Sequence, residues 1–169
     1  MTSTGTRSPL DYAYRLLGRR AYSTAGLAAK MRATGFSPQA VARTVARLSN
    51  QGYLNDARMA AELTERLQAR GFGPAAIRQK LVHHQLDATL IEQTLEARQP
   101  ALELEAARKL LASRFPADAL QQAKPYARAL RLLMRRGYSG ELAEQLLGSP
   151  PEDEPEDESK DEQGADNLT

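Results

Sequence analysis

The stretch Gly35-Phe36-Ser37-Pro38-Gln39-Ala40-Val41-Ala42-Arg43-Thr44-Val45 sets the pattern for the whole chain. Gly35 stands where a helix would end with positive φ. An aromatic residue follows. Ser37 can then cap a new helix with its side-chain oxygen, and Pro38 fits the first helical position, where a missing N–H costs nothing. Val41 and Val45 fall four and eight residues after Ser37, on one helix face. The same mark recurs at Tyr22-Ser23, Phe72-Gly73, Phe115-Pro116 and Tyr138-Ser139, and as Leu86-Asp87 with Leu in the aromatic place. Apolar pairs follow at the same offsets: Leu27 and Met31, Ile77 and Leu81, Ile91 and Leu95, Ala143 and Leu147. The mark at Phe115 is the exception, giving Leu120 and then Lys124. Ser23 and Ser37 stand 14 residues apart, as do Gly73 and Asp87, and 50 residues separate Ser23 from Gly73. Repetition at about this period marks an array of small helical units, each burying its core against neighbours.

These signals predict an all-α chain of nine helices in three groups of three. The first group is expected at 10–20, 23–33 and 37–50. The second falls at 55–70, 73–83 and 87–98. The third takes 101–114, a middle helix ending at Arg136, and 139–147. Pro125 would break a helix interior, so the middle helix is expected to begin near it, with 118–123 a separate turn or a kinked extension. The implied organisation is a flexible N-terminus over 1–9, three-helix repeats over 10–51, 54–98 and 101–148 in an extended curved array, and a disordered acidic tail over 149–169. No stretch alternates apolar and polar residues at strand length.

Composition narrows the function classes. Among 169 residues there is no Cys and no Trp, and only six Tyr and three Phe. The lack of Cys excludes disulfides and thiolate metal sites, and suits a cytoplasmic protein. So few aromatics favour thin cores between short helices over one large core. No apolar run is long enough to span a bilayer. The net charge of +2 conceals a division. Residues 1–151 carry 22 Lys and Arg against 12 Asp and Glu, whereas 152–169 carry one Lys and nine acids. A basic body points to a polyanion or an acidic protein as partner, and the acidic tail to solubility or to competition for the basic surface. The first and third groups are net positive, by +6 over 10–51 and +3 over 101–148, while 54–98 is balanced.

Catalysis finds no support. The adjacent His83 and His84 point to different helix faces and cannot chelate as an i, i+4 pair, so both read as surface residues. No phosphate-binding loop, nucleophile turn or metal spacing is present. The basic residues carry more signal. Lys124, Arg128, Arg131 and Arg135 fall within an arc of roughly 60° at 100° per residue, with Ala123, Tyr126, Leu130, Leu133 and Met134 assigned to the other side. Arg43 and Arg47 form a second pair, and Arg15 and Arg19 a third. These eight are the candidate DNA- or protein-binding residues. Arg58, Glu62 and Arg66 alternate in sign and read as intrahelical ion pairs. Residues 27–48 also resemble a helix-turn-helix, so a DNA-binding transcription regulator is the alternative reading.

Three motifs carry a family resemblance. Gln51-Gly52-Tyr53-Leu54-Asn55-Asp56-Ala57-Arg58-Met59-Ala60, then Arg70-Gly71-Phe72-Gly73 with Ile77 and Leu81, then Arg135-Arg136-Gly137-Tyr138-Ser139 resemble the RecX regulatory proteins of bacteria. The resemblance covers nearly all of residues 10–148. It implies a monomeric, curved stack of three-helix repeats that lies in the groove of the RecA recombinase filament and binds single- and double-stranded DNA. Such proteins restrain RecA's ATPase, strand exchange and SOS co-protease activities. They are not enzymes, take no cofactor or metal, and have no membrane partner. The acidic tail lies outside the family pattern.

Overall fold

A computed structural model describes residues 8–116 and 118–151. These form nine α-helices and one 3₁₀ turn, with no strand among the described residues. The first group is α1 (Pro9–Leu17), α2 (Thr24–Ala33) and α3 (Pro38–Asn50). The second is α4 (Asp56–Ala69), α5 (Pro74–His83) and α6 (Ala88–Glu96). The third is α7 (Pro100–Ala112), a 3₁₀ turn (Asp118–Gln121), α8 (Ala123–Arg135) and α9 (Gly140–Leu147). Ser8 caps α1, which places the first helix at the start of the described chain; residues 1–7 and most of the expected acidic tail, 152–169, lie outside the described residues.

The recurring mark is a helix-ending device. After α2, α3, α4, α5 and α8 the residue at positive φ is Gly35, Gly52, Gly71, Gln85 and Gly137. The N–H of the next residue reaches back five positions, from Phe36 to Met31, Tyr53 to Leu48, Phe72 to Leu67, Leu86 to Leu81 and Tyr138 to Leu133. This is the Schellman arrangement, in which a residue past the helix end satisfies an orphan carbonyl and packs on the last turn. Every one of those five acceptor residues is buried, so each helix stops where the core stops. The helix starts are equally explicit. Ser23, Ser37, Asn55, Asp87 and Ser139 each accept an N–H of the first turn through a side-chain oxygen.

One expected boundary shifts for a local reason, and one expected break is found where Pro125 implied it. Helix α1 ends at Leu17 rather than at residue 20, with Gly18 as its cap and Arg20 turned over the Tyr22 ring at 4.3 Å. The mark at Phe115-Pro116 does not open a full helix. Its N–H bonds back four residues to Leu111, and the chain passes into the 3₁₀ turn before α8 starts at Ala123. The broken apolar register at Lys124 is the trace of that turn. Pro125 is the third residue of α8, where its N–H would have had no intrahelical acceptor.

Each group has its own hydrophobic cluster. One gathers Ala13, Leu27, Met31, Val41, Leu48 and Leu54. The second gathers Ala60, Leu63, Leu67, Ile77, Leu81, Leu86 and Ile91, and the third Ala107, Leu110, Leu111, Ala129, Leu133, Tyr138 and Ala143. Three small cores replace one large one, as the scarcity of aromatics suggested.

The groups meet at two equivalent junctions. In each, the start of one group's second helix faces the turn before the next group's last helix. At the first, Ser23 at the start of α2 donates to the carbonyl of His84 at 2.5 Å, while Asp56 accepts from the Thr24 N–H at 2.8 Å. At the second, the N–H groups of Gly73 and Ala75 at the start of α5 donate to the carbonyls of Arg136 and Gly137 at 2.7 and 3.1 Å. Helix α5 has no side-chain cap, and this neighbouring turn supplies it. The approach excludes side chains: a Cβ on Gly73 would meet the Gly137 carbonyl oxygen at 2.5 Å, and one on Gly137 the Ala76 nitrogen at 2.3 Å. A part-buried ion pair between Arg98 and Glu103 also joins the second and third groups. Nearby, burial first and the Glu103 charge second push the Tyr138 hydroxyl up to about 12, so it stays protonated.

Candidate protein and nucleic-acid interface

Helix α8 presents two faces. Tyr126, Ala129 and Leu133 are buried in the third core. Lys124, Arg128, Arg131 and Arg135 are all exposed on the other side. The anchor is Tyr126, whose hydroxyl donates to the Gly148 carbonyl at 3.0 Å and fixes α8 against the end of α9. The stripe is therefore held on a rigid element, and its cations project from a helix whose rotation is fixed by packing. Met134 departs from the sequence reading. It is 52% exposed and borders the stripe, because its position falls only about 60° from Arg131 around the helix.

The other candidates lie in the first group. Arg43 and Arg47 are exposed on α3, opposite the buried Val41, Thr44 and Leu48. Arg15 is exposed on α1. Arg19 is exposed too, but lies beyond the end of α1, so the two are not a helical i, i+4 pair.

Ion pairing follows the charge balance of the groups. Among the described residues the pairs are Arg58 with Glu62, Arg78 with Glu92, Arg98 with Glu103, and Lys109 with Glu105. Three of these four neutralise a cation of the second group, and none includes any of the eight candidate residues. Arg58, Arg78 and Arg98 of the second group are paired, whereas the eight candidate cations of the two ends are not, among the described residues. Arg58–Glu62 at 3.8 Å is one of the intrahelical pairs the alternating signs implied.

Sequence reasoning missed a further cationic region. Arg20, Lys30, His83 and His84 line a cleft of about 350 Å³ at the first junction. They come from two groups, and only the contact between Ser23 and the α5–α6 turn brings them together. Burial, reinforced by His83, Arg20, Arg66 and Lys80, holds the His84 imidazole below its ordinary value. It also missed Arg136, which donates to the Arg70 carbonyl at 2.9 Å and lies over the Phe72 ring at 4.9 Å. Among the described residues no three His, Cys, Asp or Glu side chains gather as a metal site, and no helix is long and apolar enough to cross a membrane.

The fold defines a class: a tandem array of three-helix units with exposed cations on its first and third groups. Family profiles described as the first, second and third three-helix domains of RecX match residues 10–48, 55–95 and 101–147. The chain belongs to the RecX family. It is 39% identical over 133 residues to the regulatory protein RecX of Deinococcus radiodurans, a match that takes in 79% of this chain and 63% of that protein. It thus spans under two thirds of that relative's length. It is 31% identical over 147 residues to the regulatory protein RecX of Stenotrophomonas maltophilia strain R551-3, covering 87% of this chain and 90% of that one. In fold it is similar to the crystal structure of RecX from Lactobacillus salivarius, with a TM-score of 0.69, 15% identity, and 82% and 92% of the two chains covered.

Proposed function

We propose that this protein is a monomeric cytoplasmic regulator that binds the RecA recombinase filament and its DNA, single- or double-stranded. In this reading it restrains RecA's ATPase, strand exchange and SOS co-protease activities without catalysing a reaction itself. The observation that carries the reading is the set of eight exposed cations at the two ends of the array, Arg15, Arg19, Arg43 and Arg47 in the first group and Lys124, Arg128, Arg131 and Arg135 in the third, all outside the ion pairs of the described residues. An array with cations at both ends suits a repetitive, negatively charged partner, because several weak contacts along one polymer act together.

The test is binding to RecA assembled on single-stranded DNA, compared with binding to a defined duplex alone. Preference for the filament, together with a fall in its ATP hydrolysis, is the expected result. Tight binding to one duplex sequence with no effect on the filament would instead favour the transcription-regulator reading of residues 27–48.

A further inference from the structure

The cleft at the first junction concentrates positive charge that the two candidate basic faces do not use. Arg20 approaches it from the α1–α2 turn, Lys30 from α2, and His83 and His84 from the end of α5. Arg66 on α4 and Lys80 on α5 add their fields at His84. None of these six is in an ion pair among the described residues. No carboxylate is among the residues that line the cleft, and the charged groups acting on His84 are all cationic. The start of α2 is capped by Ser23 and Asp56, so side chains rather than helix amides define what this cleft attracts.

We propose that this cleft is a phosphate-binding site in which Arg20, Lys30, His83 and His84 hold the anion, with occupancy coupled to protonation of His84. The shape of the groups favours phosphate. The Arg20 guanidinium sits 4.3 Å from the centre of the Tyr22 ring at the cleft edge, and its fork of donors matches a tetrahedral oxyanion better than an ammonium would. The two imidazoles lie edge to face with ring centres 6.0 Å apart, so each offers its N–H groups in a different direction. A volume of about 350 Å³ admits a phosphate with part of an attached group.

The coupling has a definite sign. In the free protein burial and neighbouring cations favour neutral His84. A bound phosphate reverses the local field and favours the imidazolium. Binding therefore takes up protons, and affinity rises as pH falls through the histidine range. With only two His and no Cys in the chain, His83 and His84 are the side chains whose ordinary titration falls between pH 5.5 and 8.

The inference stands whether or not the protein acts on RecA, and the test keeps the two apart. The full-length protein is titrated by proton NMR, alone and with inorganic pyrophosphate or with an unstructured oligothymidylate. The variant His83→Gln leaves His84 as the sole imidazole, so its resonance is unambiguous. Both ligands, or either, are expected to raise the His84 midpoint; pyrophosphate alone marks a free polyphosphate as the source, and the oligonucleotide marks a nucleic-acid backbone. The affinity of the effective ligand should rise roughly two- to tenfold from pH 8 to pH 5.5, the range expected for one or two partly exposed charge pairs. The double variant His83→Gln, His84→Gln keeps the His84 main-chain carbonyl that Ser23 uses, and should lose that increment while its helical circular dichroism is unchanged. A His84 midpoint unmoved by both ligands overturns the site. So does an equal pH increment in the double variant, or a midpoint moved only by a peptide of residues 152–166.

Discussion

The two junctions answer one geometric problem with different chemistry. Both seat the start of a second helix against the turn before the next group's last helix. The first does so with side chains: Ser23 bonds the His84 carbonyl, Asp56 caps Thr24, and Gln85 holds the left-handed position with φ of 57°. The second does so mainly with backbone, the Gly73 and Ala75 N–H groups on the Arg136 and Gly137 carbonyls, with the Arg136 side chain donating to the Arg70 carbonyl, and Gly137 holds the equivalent position at φ of 84°. At Gln85 there is room for a side chain; at Gly137 the Ala76 nitrogen would lie 2.3 Å from a Cβ. The second junction also buries Arg98 and Glu103, with side chains only 8% and 16% exposed. The first leaves a cationic cleft open to solvent. Close backbone contact and a buried charge pair fix the second and third groups to one another. The first junction is held by hydroxyl and carboxylate contacts, and its cleft cations are unpaired among the described residues.

The largest effect is expected where a charge would be stranded. Arg98→Ala should cost about 3 kcal/mol, read as a drop in the urea midpoint, because Glu103 is left largely covered without its partner. Replacing both by apolar residues of similar volume, Arg98→Met with Glu103→Leu, should restore most of that loss. A fully additive double variant would show that the pair does not act as a unit.

Next comes the close approach. Gly73→Ala should cost about 1–3 kcal/mol, since the added methyl meets main-chain atoms that cannot rotate away. Gly140→Ala is the control, with nothing within 4 Å of its added carbon and no positive φ. Equal stability of the two variants would contradict the account of the second junction.

Ser23→Ala should have a smaller effect, about 1–2 kcal/mol, from the lost cap and the lost bond to His84. Smallest is Gln85→Gly, which relieves a left-handed non-glycine residue but loosens the unfolded chain, and should move the midpoint by less than about 1 kcal/mol either way. If Gln85→Gly were as disruptive as Gly73→Ala, the first junction would be as tightly specified as the second.

The helices were legible because their punctuation is local. Ser23, Ser37 and Asp87 cap the helices they precede, and Gly35, Gly52, Gly71 and Gly137 all have the positive φ expected of a helix end. The register break at Lys124 also had a structural cause, the 3₁₀ turn over Asp118–Gln121, which Pro125 led the sequence reading to expect as a separate turn or kinked extension. The junctions were not legible. Ser23 meets a carbonyl 61 residues away, and Gly73 meets one in the third group, through backbone atoms that every residue possesses. No periodicity encodes such a meeting. The α8 stripe was legible because an amphipathic helix shows its solvent face in its spacing. The cleft was not, since Arg20 and His84 become neighbours only when two groups dock.

The most direct measurement is the rate of ATP hydrolysis by RecA filaments on single-stranded DNA, titrated with this protein and with its Arg128→Ala, Arg131→Ala, Arg135→Ala variant at matched salt. These three side chains are exposed and make no ion pair among the described residues, so the variant should keep the helical signal and the urea midpoint. The account predicts that the wild-type chain slows hydrolysis and that the variant needs several-fold more protein for the same effect, with a shallower dependence on salt, by up to about 0.9 in the log–log slope for each lost phosphate contact on duplex. A folded variant that inhibits as well as the wild type, at every salt concentration, would contradict it.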